Sequence, residues 1–442
     1  MTAVPLRWRS GLARRRSEFA QLARRSHEAV LLAGVVGVLT GVGVAAFDTA
    51  VTRGVEAVGR APLWVAACAP VFGLTAAAIV LAVVGRGCSP STADEYLHAF
   101  HDPNYQIEGR SLLARMLAGV ATLGSGGPMG LEGPSLYLGA GLGDILPRRF
   151  PRLFSVRNRR VLLVAGAAAG VAAIFKAPAT GAVFALEVPY QDDLARRMLG
   201  PALVASATSY LTFVAFHGTA ALLPVEGTPP FSFKDLAGAA ALGLLAGIGA
   251  RLFARMLRDA KSLAARFSPT IRVPIAGVIL IGIFVLVRVL SGQNLTTGPG
   301  YDTIRWALDP TLSIWLVGAV LVLRCTATAT TVAGGGAGGL FIPLVVAGAL
   351  TGRFVGGAVG ALDTSLFTVI GVAAFLGAGY RVPLAAVTFV AEATGRPGFI
   401  VPGLIAAVVA ELLMGTSSVT IYQHAAADVA PTVSPPDGRH PT

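Results

Sequence analysis

Apolar stretches, each set off from the next by a few polar or turn-forming residues, fill the chain from residue 29 to residue 415. They run at about 29–51, 62–84, 111–129, 131–146, 161–175, 178–188 and 198–216. After a polar, Pro-containing break at 217–235 they resume at 236–257, 272–290, 312–329, 339–361, 365–380, 383–393 and 399–415. A helix needs ~20 apolar residues to cross a bilayer, and several of these stretches are long enough. The runs at 178–188 and 383–393 are about half that length. Half-length helices persist at membrane depth only inside protein or beside a water-filled cavity. The pattern therefore predicts an all-α polytopic membrane protein with many tilted and half-length helices, the architecture of a transporter or channel core.

The pattern also repeats. Gly130-Leu131-Glu132-Gly133-Pro134 and Gly339-Leu340-Phe341-Ile342-Pro343 share Gly-Leu-x-x-Pro, and each proline is followed five residues later by glycine, Gly139 and Gly348. Pro178 precedes Glu187 by nine residues, as Pro383 precedes Glu392, and the two prolines of each half stand 44 and 40 residues apart. Two matched pairs in the same order predict two structural halves, 29–216 and 236–423, joined by a linker at 217–235. Such halves are often inverted relative to each other, with broken helices meeting at the midplane. Residues 1–28 read as a basic helix on the cytoplasmic interface, and the Pro-rich tail 424–442 as disordered.

Composition sharpens this. Of 442 residues only 13% are charged and 54% are apolar, with 54 glycines besides, against ~25% charged in soluble domains. An ordinary soluble enzyme, a disordered chain and a disulfide scaffold are excluded. The formal charge of +12 is concentrated in arginines at 7–25 and 148–160. That is the positive-inside pattern rather than a nucleic-acid groove, and it places the N-terminus in the cytoplasm of a cell-membrane protein. Cys68, Cys88 and Cys325 are scattered and read as buried free thiols, and the basic first 30 residues do not form a cleavable leader.

The matched motifs carry the chemistry. A helix N-terminus leaves backbone N–H groups unpaired at a partial positive charge, which holds anions without a full cation. Proline in the first turn sacrifices no hydrogen bond. Two such N-termini facing each other make a weak anion site, and weak binding is what conduction requires. Glu132, a carboxylate in an apolar setting, is expected to be functional. Its charge can occupy the anion's place and be released by protonation, which makes it a gate. Phe341, its partner in the repeat, reads as an apolar plug. Glu187 and Glu392 read as acids at helix ends. Asp94, His98 and His101 share one helical face and read as a polar interfacial surface rather than a metal site.

These residues resemble the CLC chloride channel and transporter family. GLEGP is similar to that family's G-[RK]-E-G-P with Leu131 in place of the basic residue, and GGLFIP to its G-x-F-x-P. SSVTIYQ places Tyr422 where the family has an anion-coordinating tyrosine. The resemblance implies a CLC-type fold of two inverted-topology halves and a homodimer with one anion path per subunit. It implies Glu132 as gate and anion-binding amides around Leu131, Gly133, Leu340, Phe341 and Ile342, with the Tyr422 hydroxyl beside them. The family's G-S-G-x-P motif has no clean copy. By order its counterpart is GRGCSPS at 85–91, which makes Ser89 the pore serine, with Cys88, Ser91 or a backbone group as alternatives and Ser125 of GSGGP a decoy. Proton-coupled members carry a second glutamate just after the acid matching Glu187, where this chain has Val188. The expected function is passive, gated chloride conduction, of the voltage-gated channel kind. Proton/chloride antiport is the alternative. A fluoride-exporting relative is disfavoured by the proline of GLEGP and the phenylalanine of GLFIP. An intramembrane enzyme built on Glu132 lacks a nucleophile or metal constellation, so no enzymatic activity, cofactor, metal or nucleic-acid partner is expected.

Overall fold

The computed structural model describes residues 6–154, 159–223, 225, 232–360 and 364–425, with side chains from residue 28 onward except that of Thr364. Among the described residues are sixteen α-helices and no strand. The first eight are α1 (Leu6–Arg60), α2 (Leu63–Val83), α3 (Ala93–His101), α4 (Gly109–Gly124), α5 (Glu132–Arg149), α6 (Arg159–Phe175), α7 (Pro178–Glu187) and α8 (Leu199–His217). The second eight are α9 (Phe233–Arg266), α10 (Pro269–Ser291), α11 (Tyr301–Ala307), α12 (Ile314–Ala333), α13 (Phe341–Ala358), α14 (Thr364–Tyr380), α15 (Pro383–Thr394) and α16 (Ile400–Leu412).

The two sets correspond one to one, down to the short third member of each and the half-length seventh. α5 packs on α6 as α13 packs on α14, and α1 on α8 as α9 on α16. The turns entering α5 and α13 match as well. Gly126 and Gly335 both have positive φ, +91° and +86°, and the N–H of Gly127 bonds to Thr122 as that of Gly336 bonds to Thr331. α7 and α15 are equivalents, and the acid at the end of each touches the start of the other, so they run antiparallel. Equivalent elements pointing opposite ways make the halves inverted in topology, the fold class expected.

Seven helices among the described residues are long and apolar enough to cross a membrane. The outer surface bears exposed Trp64, Phe72, Val278, Val289, Trp315 and Leu412 among many other large apolar side chains, an exterior that suits lipid rather than water. α13 is enclosed by protein, with 83% of its apolar window buried, whereas the span that includes α8 is only 28% buried. The basic segment before residue 28 and the first span are one uninterrupted rod, α1. The linker 217–235 lies partly, and the tail 424–442 almost wholly, outside the described residues. α3, too polar to register as an apolar stretch, bears the helical face expected for Asp94, His98 and His101, whereas α11 appears only in the structure.

Small residues allow this density. An added Cβ on Gly166 would lie 1.9 Å from the Gly139 carbonyl oxygen, and one on Gly371 2.4 Å from that of Gly348. The α5–α6 and α13–α14 pairs thus meet backbone to backbone, where van der Waals packing drives helix association in lipid. Gly166→Ala is expected to destabilise the folded protein by roughly 1–3 kcal/mol, the usual cost of overpacking. A thermal melt in detergent checks this, with Gly59→Ala, which meets nothing within 4 Å, as the control.

Candidate functional site

The starts of α5 and α13 meet at the centre of the molecule. Gly130 and Gly339 form an isolated antiparallel bridge, with N–H to O distances of 2.9 and 2.6 Å in the two directions. Glu132, the first residue of α5, crosses to the other half. Its Oε1 accepts the N–H of Phe341 at 2.6 Å and that of Ile342 at 3.4 Å, both in the opening turn of α13. Oε2 is buried and has no hydrogen-bond partner. A Cβ at Gly130 would stand 1.8 Å from Oε2 and one at Gly339 2.1 Å from Oε1. Both glycines of the repeated motif are therefore required for the carboxylate to sit where it does. Leu131, Gly133, Leu340, Phe341 and Ile342 all surround this junction and are buried.

Phe341 is fully buried in a nest of aromatic rings. Its centroid lies 4.4 Å from Phe175, 5.3 Å from Phe184, 4.9 Å from Phe389 and 6.4 Å from Tyr380. Of these rings the repeated motif marks Phe341 alone. The other four come from α6, α7, α15 and α14, and the available signal was their closeness to the matched prolines Pro178 and Pro383.

Below the junction opens a cavity of about 440 Å³. Ser89, Ser91, Thr92, Gly339, Leu340, Tyr380 and Tyr422 line it, together with Asp94, Glu95, Lys261 and Arg272. Lys261 Nζ donates to Asp94 Oδ2 at 2.6 Å and to the Val419 carbonyl at 2.9 Å, while Asp94 Oδ1 accepts the Ile421 N–H. The segment 417–424 is thereby pinned as one wall. Ser89 is exposed and its hydroxyl accepts the Ser91 N–H. Tyr422 lies at the outer part of that wall, 37% exposed and stacked on His98 at 4.9 Å. Deeper in, Thr92 is buried with an unpartnered hydroxyl, and a Cβ on Gly133 would stand 2.6 Å from it. Tyr380 is buried and lines the same cavity beside Leu340. Ser125 does not line the cavity; its hydroxyl donates to the Thr122 carbonyl. The face of α3 is engaged by its neighbours: Asp94 with Lys261 and Ser91, His98 with Tyr105 and Tyr422, and His101 with the Pro189 carbonyl.

Two further acids, the buried Glu187 and the half-buried Glu392, serve the frame. Glu187 accepts the Leu384 and Ala385 N–H groups at 3.1 and 2.8 Å, and Glu392 accepts those of Ala179 and Thr180 at 3.0 and 2.7 Å, with the Thr180 hydroxyl besides. Each carboxylate caps the other half's broken helix, satisfying donors that have no partner within their own helix.

A sequence profile of the family described as Voltage gated chloride channel matches residues 72–415. The chain belongs to the CLC family. A ClcB-like protein from Ralstonia nicotianae, named for a chloride channel, is 27% identical over 85% of this chain and 89% of its own. The H(+)/Cl(-) exchange transporter ClcA of Salmonella paratyphi B is 28% identical over 90% and 89%. A slow cyanobacterial Cl-/H+ antiporter superposes with a TM-score of 0.77 at 21% identity, covering 88% of this chain and 94% of that one. On this CLC scaffold the position after Glu187 holds Val188, which is buried, and two tyrosines flank the cavity at different depths. Tyr380→Phe is expected to change the order of anion preference by severalfold, and Tyr422→Phe to change it less. Anion-substitution measurements on both variants decide the ranking.

Proposed function

We propose that this CLC protein conducts chloride passively along a path that Glu132 opens and closes. The observation that carries the reading is the Glu132 carboxylate on the N–H groups of Phe341 and Ile342. It takes up the donors an anion would use, so anion and carboxylate compete for one place. On the cavity wall Lys261 is paired with Asp94, and Glu95 with Arg115, which leaves Arg272 to raise the local anion concentration. Passive conduction, rather than exchange, is supported by Val188 and by Glu187. The first cannot titrate, and the second is held by the N-terminus of α15. The anion-binding set comprises Leu131, Gly133, Leu340, Phe341 and Ile342, with Ser89 and Tyr422 on the cavity wall and Tyr380 and Thr92 deeper. The working unit is a homodimer in the cell membrane with cytoplasmic N-termini.

In proteoliposomes, chloride flux is expected without accompanying proton movement, and under crossed chloride and pH gradients the reversal potential should follow chloride alone. A reversal potential displaced by the proton gradient would establish exchange. Exchange is the second reading, favoured by the Salmonella relative, which is named as an H(+)/Cl(-) exchange transporter.

A further inference from the structure

A second cleft, of about 590 Å³, lies away from the anion path, at the start of the span that includes α8. Its walls are Phe100, Tyr190, Leu194, Ala195 and Met198 on the apolar side, with Arg160, Arg196 and Arg197 and one acid, Asp193. We propose that this cleft is a binding site for the phosphate of an anionic phospholipid headgroup, gripped by Arg160, Arg196 and Arg197.

Three features carry the proposal. The first is unspent charge. Among the described residues neither Arg160 nor Arg197 makes an ion pair, and Arg196 has only a 3.7 Å contact to Asp193 at the rim. Arg159, next in the chain to Arg160, shows what an arginine committed to the fold does here. It bonds to Asp144 and to the Pro103 and Tyr105 carbonyls. Arg160 instead lies with its guanidinium 4.4 Å over the Phe100 ring, held in place with its N–H groups available. Helix electrostatics does not account for it either, because a cation in the first turn of α6 opposes the helix dipole.

The second feature is depth. Arg196 is the first residue of the candidate span Arg196–His217, so the cleft sits at headgroup level. The arginine-rich segment 148–160 on the same edge assigns that level to the inner leaflet, where anionic lipids draw basic pockets between membrane helices. The third is access. The span that includes α8 is the least buried of the seven, and Leu199, just beyond the cleft, is exposed. Acyl chains can therefore lie along the helix while the phosphodiester enters the cleft. Guanidinium groups suit the oxygens of a phosphate because they bond through paired N–H groups.

Native mass spectrometry of the full-length protein titrated with phosphatidylglycerol tests this. The wild type is expected to retain the lipid at least tenfold better than the Arg160→Gln, Arg196→Gln, Arg197→Gln triple variant, with inorganic phosphate at equal concentration failing to displace it. Arg197→Gln alone, at an exposed position, should weaken retention about threefold, which covers the case of a misfolded triple variant. Arg288→Gln with Arg305→Gln, which removes basic charge elsewhere, should leave retention unchanged. Equal retention by the Arg197 and triple variants and the wild type overturns the proposal. So does equal loss in the Arg288/Arg305 control, which would mean diffuse surface charge. Displacement by inorganic phosphate would make this a site for soluble phosphate and overturn the lipid assignment.

Discussion

Replacing Glu132 with Gln is expected to raise chloride flux at neutral pH by roughly 10- to 100-fold and to flatten its pH response. Hydrogen bonds to a charged group contribute about 1.5–3 kcal/mol, and each 1.4 kcal/mol is about tenfold in an equilibrium. Glu132 Oε1 makes one such bond at full strength, to Phe341 at 2.6 Å, the contact to Ile342 being long at 3.4 Å, so loss of its charge shifts the balance from carboxylate to anion by about that factor. The sign follows directly. Falling pH neutralises the carboxylate, frees the Phe341 and Ile342 N–H groups and raises flux in the wild type, whereas Gln is neutral at every pH. Chloride efflux from proteoliposomes between pH 4 and 8 measures both effects. An unchanged pH profile in Glu132→Gln would remove Glu132 from the gate.

The second large effect belongs to the crossed caps. Glu187→Ala strips acceptors from the Leu384 and Ala385 N–H groups, one of them fully enclosed. Stranding buried donors costs about 1–3 kcal/mol each, so the variant should lose about 3–5 kcal/mol of stability. Glu392→Ala, more accessible, should lose somewhat less. Because α7 and α15 carry Phe184 and Phe389, which hold Phe341, both variants should also lose flux. Glu187→Gln keeps one oxygen acceptor and should recover part of the stability. Denaturation in graded detergent resolves the three levels, and an alanine variant as stable as wild type would show that the caps contribute nothing.

The fold was largely legible because its causes are local and written twice. Gly-Leu-x-x-Pro marks both central helix starts, and the nine-residue interval from proline to glutamate marks both half-length helices. What the sequence withheld is contact at long range. Nothing near residue 132 indicates that its carboxylate reaches residue 341, or that Phe175, Phe184 and Phe389 converge on one ring. The resemblance drew attention to Tyr422, whereas the cavity also has Tyr380, which ends an otherwise unremarkable apolar helix. Thr92 carries no signal in the sequence, because its hydroxyl matters through having no partner in the folded chain. The buried Arg324, whose N–H groups hold the carbonyls of Gly298 and Pro299, was likewise invisible in a run that reads as a plain span.

The two halves share one scaffold but not one chemistry. At equivalent places in the duplicated motif, one half presents the acid Glu132 and the other the ring of Phe341. A perfectly mirrored pore would pass current alike in either direction. Here the acid and the ring meet at one central junction, the Glu132 carboxylate on the Phe341 N–H and the ring among Phe175 and Phe389, so a path gated by Glu132 as proposed should rectify, with the preferred direction set by which face of the membrane is acidified.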